Sequence, residues 1–208
     1  MTDHSGRVVG GSSGSAPESP PERYDSLSQL LHWAIGLSLV AMVAFGVYLE
    51  SLPSGKGKVP LIQIHKSVGV VLALFLLWRL ARRTLQGFLP ALHDGGRAQQ
   101  VTARLTHVLL LLLPLGLVGS GVLRSLAYGR PVKVFGLNFI PPLMEKNDAL
   151  HAAASNAHGV LAWALVACVS LHGAAALWHH FVNEDETLRR MLPRTKKRSS
   201  SVRQESSP

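Results

Sequence analysis

Histidine is the residue type through which this chain can do chemistry. Ten histidines fall among its 208 residues, against a single cysteine, Cys168. A neutral imidazole can ligate a metal or pass a proton near neutral pH. His158 and His172 share one long apolar run, residues 152–182, and stand 14 positions apart. On an α-helix that is nearly four whole turns, so both rings point the same way, roughly 21 Å apart along the axis. Two imidazoles stacked on one face of one helix need partners on other helices.

The elements that must supply those partners can be read from hydropathy. Hydrophobic residues make up 47% of the chain and mean hydropathy is positive, yet both termini are polar. Four apolar segments are long enough to cross about 30 Å of hydrocarbon, near Leu27–Leu49, Leu61–Ala81, Leu105–Leu123 and Ala152–Val182. Each holds a histidine and none holds Asp or Glu. The expected fold is all-α, an integral membrane four-helix bundle. Residues 1–22, rich in Gly, Ser and Pro, are expected to be a disordered polar extension. Residues 23–193 form the transmembrane domain, and 194–208 a basic disordered tail. Gly10–Gly14 neither follow a strand nor open a helix, so they make no phosphate loop. The polar start has no signal-peptide pattern, so the first span is expected to stay in the membrane.

The net charge of +9 and pI near 10.3 raise the question of nucleic acid. The basic residues instead flank apolar runs or lie in the tail, a pattern of membrane topology. Twelve Lys or Arg lie near the span ends on the side holding both termini and the 82–104 loop, Arg79, Arg82 and Arg104 among them. Six lie on the other side, among them Lys56, Arg124, Arg130 and Lys146. The excess puts both termini in the cytoplasm.

Topology then assigns depths. His32 enters from the inner side and His65 from the outer side, while the last span starts outside and carries His158 outer and His172 inner. His32 therefore matches His172 in depth, and His65 matches His158. Facing imidazoles from different helices are what a non-covalent bis-histidine haem b requires, and no CxxCH motif is present for covalent attachment. Small residues follow each histidine by four positions: Gly36, Gly69, Ala162 and Ala176. His151 competes with His158 but would lie at the membrane surface. His107 has bulky Leu111 one turn on and reads as packing or as a contact for a propionate or quinone. His179 and His180 sit at the inner exit, and His4 and His93 carry no signal. Arg79, 14 residues beyond His65, lies at the depth of the inner pair and is a candidate propionate partner. Lys66, Arg124 and Arg130 are candidates outside.

Several stretches resemble the bacterial cytochrome b561 family over roughly residues 23–193. They are Tyr24 with His32-Trp33, Ile64-His65-Lys66-Ser67-Val68-Gly69 leading to Arg79-Leu80, Arg104-Leu105-Thr106-His107, and Leu171-His172-Gly173-Ala174-Ala175-Ala176. His179-His180-Phe181 and Thr187-Leu188-Arg189-Arg190-Met191-Leu192-Pro193 close the pattern. The resemblance implies a multi-pass bacterial inner-membrane protein holding two haem b groups through His32, His65, His158 and His172. It also implies electron exchange with the quinone pool, in some members with superoxide as donor and ubiquinone as acceptor. Gly159 departs from the acidic residue found there in relatives, and the N-terminal extension is a second departure.

Three functional classes stay open at this point. One is an electron-transfer cytochrome, of superoxide:ubiquinone oxidoreductase type if it is an enzyme. A second is a haem-bearing anchor that serves a partner dehydrogenase or hydrogenase. The third is a transporter with a histidine relay, which the absence of carboxylates in the spans disfavours. The expected partners are the lipid bilayer, a quinone and a redox partner protein, with no nucleic acid.

Overall fold

The computed structural model describes residues 23–86 and 96–192. The expected terminal extension and tail, and His4 and His93, lie outside the described residues. Four long helices dominate: α1 (Ser26–Ser51), α2 (Lys58–Gln86), α3 (Arg97–Ala127) and α4 (Asp148–Phe181). All four are long and apolar enough to cross a membrane. Each extends past the span expected from hydropathy, so α1 takes in Glu50 and α4 takes in Asp148 at their ends. α3 gains its first two turns from the polar stretch after Gly96, and it runs continuously through the buried Pro114.

The helix starts are written locally. Asp25 caps α1, its Oδ2 accepting from the Ser28 backbone N–H at 3.2 Å and its Oδ1 from the Ser28 hydroxyl. Asn147 caps α4 in the same manner, accepting from Leu150 N–H at 2.9 Å. Each cap satisfies an orphan donor and is worth about 1 kcal/mol.

Between α3 and α4 lies a β-hairpin, β1 (Val132–Val134) with β2 (Leu137–Ile140), antiparallel. Phe135 and Gly136 both take positive φ, the geometry of a tight two-residue turn matched to strand twist. The hairpin is tied to the bundle: Phe135 N–H donates to the Ser67 hydroxyl at 2.9 Å, and Val132 packs on Val70 and Leu126.

Little of this surface is hidden within the protein. Only 11% of the most apolar window of α1, α3 and α4 is buried, and 22% of that of α2. Leu37, Val40, Leu74, Leu112, Val160 and Trp163 face outward. In water such a surface would be untenable; in hydrocarbon it is solvated. α1 packs along α2, and α3 along α4, whereas α1 and α4 touch at few positions. The molecule therefore has two close helix pairs facing one another. The end with the hairpin is here the loop end, and the other is the terminal end.

Candidate functional site: two histidine pairs

The histidines of α4 each meet one imidazole across the divide between helix pairs. At the terminal end the His32 and His172 ring centroids are 6.3 Å apart, with planes at 70°. At the loop end His65 and His158 are 6.4 Å apart, also at 70°. Two imidazoles on opposite sides of one iron would have centroids roughly 6.3 Å apart, given metal–nitrogen bonds of about 2.0 Å. Both separations fit.

The surroundings of the rings test that fit further. His158 Nδ1 lies 3.0 Å from the Leu117 carbonyl oxygen and 3.0 Å from the Ser120 hydroxyl. The carbonyl can only accept, so Nδ1 carries the proton and Nε2 is left with a lone pair. That is how a second-shell acceptor prepares an imidazole for a metal. His65 Nδ1, by contrast, is buried with no hydrogen-bond partner among the described residues, a state that costs about 1–3 kcal/mol.

Space is made for the loop-end rings by two glycines. A Cβ on Gly46 would stand 3.4 Å from His65 Cε1, and one on Gly121 would stand 3.3 Å from His158 Cε1. Neither was singled out from sequence. Gly36 and Gly69, which were, face open space and Met42 respectively. The missed signal is a spacing: Gly46 lies 14 residues after His32, and Gly121 lies 14 after His107.

The terminal end is built from polar groups at the corresponding places. Arg79 reaches from α2 to donate through Nη1 to the Ser28 carbonyl at 3.1 Å and through Nη2 to His32 Nδ1 at 3.3 Å. Arginine is only a donor, so His32 Nδ1 accepts here and its proton sits on Nε2. Ligation through Nε2 asks for the opposite tautomer, and so for Arg79 to turn to another acceptor. His107 lies with its ring 5.7 Å from that of His172. It comes from α3, on the same side as α4, so it flanks His172 without facing it across the divide.

The other residues fall outside the pairs. His151 Nδ1 is 3.0 Å from the Arg124 carbonyl, and its ring packs on Tyr128 at 5.1 Å. The structure thus sets His158, and not His151, opposite His65. Arg124 lies within electrostatic reach of His65, His158 and Lys66, and Arg130 within reach of Lys66. Arg130 itself stacks over Tyr128 at 4.5 Å.

The segment after α4 folds back over α1. Trp33 Nε1 donates to the Met191 carbonyl at 2.8 Å, and the Gln29 amide donates to the Arg190 carbonyl at 3.1 Å. Trp33 also stands edge-on to His32 at 5.4 Å. The turn that starts this return is held by Asp185, whose side chain is 2% exposed and pairs with His179 Nδ1 at 2.5 Å. Burial pushes the Asp185 carboxyl up, but hydrogen bonds from Thr187 and His179 outweigh it and hold the group below the usual carboxylate range.

Comparison with known proteins shows the family. The model of the prokaryotic cytochrome b561 family matches residues 23–194. Cytochrome b561 homolog 2 of Escherichia coli is 34% identical over 175 residues, which cover 83% of this chain and 92% of that protein. Cytochrome b561 homolog 1 of the same organism is 27% identical over 178 residues, 84% and 99% of the two chains. A Yersinia pestis protein named probable superoxide oxidase CybB is 25% identical over 173 residues, 83% and 97%. The match runs through all four helices and both histidine pairs, and the chain belongs to the prokaryotic cytochrome b561 family: multi-pass proteins of the bacterial inner membrane that bind haem b and carry electrons.

Proposed function

We propose that the chain holds two haem b groups, one between His32 and His172 and one between His65 and His158, and moves electrons across the membrane between the quinone pool and a one-electron donor on the opposite side. The observation that carries this reading is the pair of iron-sized gaps, 6.3 and 6.4 Å between ring centroids, stacked at two depths along α4. When bound, the haems supply reversible one-electron chemistry at iron.

The protein's own residues do the rest. His32, His172, His65 and His158 would hold the two haems, which would supply outer-sphere electron transfer. Leu117 holds His158 in the ligating tautomer. The Trp33 ring and the returning segment at Arg190–Met191 cover His32 on the terminal side. Arg79 supplies a cation for a propionate at the terminal end, and Lys66 one at the loop end. The excess of Lys and Arg puts the terminal end in the cytoplasm. The loop end, where Arg124 and Arg130 both lie within electrostatic reach of Lys66, then faces outward and favours an anionic donor. Superoxide fits that charge, and the Yersinia pestis relative carries that activity in its name.

The test is ubiquinone reduction by the purified, haem-loaded protein under a steady supply of superoxide. The reading expects reduction whose rate falls as salt rises, because steering of an anion is screened over a Debye length of about 8–10 Å. No reduction with superoxide, alongside reduction by a partner dehydrogenase, would make the chain an anchor subunit.

A further inference from the structure

Residues 131–144, between α3 and α4, carry a single charge, Lys133, among side chains that are otherwise almost all apolar. Val132, Val134 and Ile140 join Val70, Val122 and Leu126 of the bundle in one cluster. That leaves Phe135, Leu137, Phe139 and Leu143 with more than half of their surface exposed. A strand pair with one face in water would carry polar residues there. This hairpin is apolar on the inside and on the outside.

The depth of the hairpin decides what meets its outer side. Ser67, which accepts from Phe135 N–H, and Val70 lie nine and twelve residues into α2, about 14 and 18 Å along the axis from Lys58. Both fall inside the apolar run that begins near Leu61. On α3 the contact is with the closing turn, where Leu126 precedes the last residue, Ala127. An element that touches the interior of one apolar run and the end of the next lies at the edge of the hydrocarbon. Ile64, three residues before Ser67 on the same side of α2, is itself exposed. The two strands satisfy each other's facing N–H and C=O groups, and Ser67 accepts one more N–H at the turn. Their outer edges still need water or headgroups, which excludes the middle of the bilayer.

We propose that the β1–β2 hairpin, with Leu143 and Met144, is a lipid-binding anchor lying in the acyl–headgroup boundary of the leaflet at the loop end. Phe135, Leu137, Phe139 and Leu143 enter the upper acyl chains, and Lys133 extends its ammonium to the phosphates. The occupant is the bilayer because the outer side continues, at the same depth, the lipid-facing surface of α2. The hairpin also covers the seam where Val70 of α2 meets Leu126 of α3, so lipid meets the hairpin and not the seam. None of this depends on how many haems the chain carries.

The experiment uses the full-length, haem-loaded protein in phosphatidylcholine–phosphatidylglycerol vesicles containing a phospholipid with a photoactivated diazirine high on one acyl chain. Mass spectrometry is expected to find that lipid attached within residues 131–146 of the unsubstituted protein, as it is within the exposed face of α4. Thiol reactivity gives the second readout, in a Cys168→Ser background that removes the sole cysteine. Leu137→Cys should react with a charged maleimide roughly tenfold more slowly than Ser54→Cys, since a thiol in apolar surroundings ionises poorly. Ser54 is exposed in the loop between α1 and α2 at the same end. Phe139→Cys should behave as Leu137→Cys, with haem absorption unchanged in each. Equal maleimide rates at the hairpin and at Ser54→Cys would place the hairpin in water and overturn the proposal. Slow reaction without a lipid cross-link would mean that a second copy or a partner protein covers this face, and would overturn it too.

Discussion

The two ends of the bundle hold the same pair of imidazoles at nearly the same separation, but what stands around each pair differs. At the loop end the rings rest on Gly46 and Gly121, and Leu117 fixes the tautomer of His158 through its carbonyl. At the terminal end Arg79 and His107 take the flanking places, and the return segment covers His32 through Trp33. One end is shaped by backbone and the other by side chains. The spacing that makes an ion or cofactor site is thus separable from the groups that hold it there, and substitutions should resolve the two.

The largest effect should come from removing an axial ring. His172→Ala is expected to lower haem content from about two to about one per chain and to spare the loop-end haem, because the ends share α4 but not ligands. His65→Ala should remove the other one. Pyridine haemochrome quantitation per chain reads both, and a variant that loses both haems would show the ends to be interdependent.

Next in size is overpacking at the loop end. Gly121→Leu pushes against His158 Cε1, where a Cβ alone would already lie at 3.3 Å. Overpacking costs about 1–3 kcal/mol, so haem affinity at that end should fall roughly ten- to hundredfold while the terminal end is unaffected. Haem titration of the apoprotein separates the two, and equal weakening at both ends would contradict a local cause.

A smaller effect belongs to the return segment. The folded Asp185 carboxyl sits below its ordinary value, so its contribution is complete above the ordinary carboxylate range and is lost as pH falls through the depressed folded value. Hydrogen exchange over residues 185–192 should therefore accelerate below the ordinary carboxylate range, and Asp185→Asn should show the acceleration at neutral pH. The smallest effect is expected from Ser120→Ala. It removes one neighbour of His158 Nδ1 but leaves the Leu117 carbonyl, so the loop-end midpoint potential should move by no more than the order of tens of millivolts.

Much of this was legible in the sequence because a membrane imposes strong rules. Run length gave four helices, and spacing along α4 with alternating direction gave the depth match of His32 with His172 and of His65 with His158. Arg79 was placed at the terminal end by the same arithmetic. What stayed hidden depends on which faces of two helices meet. Gly46 and Gly121 look like any small residue in a membrane helix, and Gly36 and Gly69 had an equal claim until packing was known. Leu111, bulky and one turn on, makes His107 read as packing or as a propionate or quinone contact, and only packing shows that its ring stands beside His172. The hairpin escaped because a short alternating run with Phe135-Gly136 at its turn gives too little signal outside a sheet.

The central claim is that one chain holds two bis-histidine haems stacked along α4. It is tested most directly by counting haems per purified chain while recording the ferric electron paramagnetic resonance spectrum. The account expects about two haems per chain, both low spin, since each iron would have an imidazole on either side. A ratio of one, or a high-spin signal from half of the iron, would contradict it.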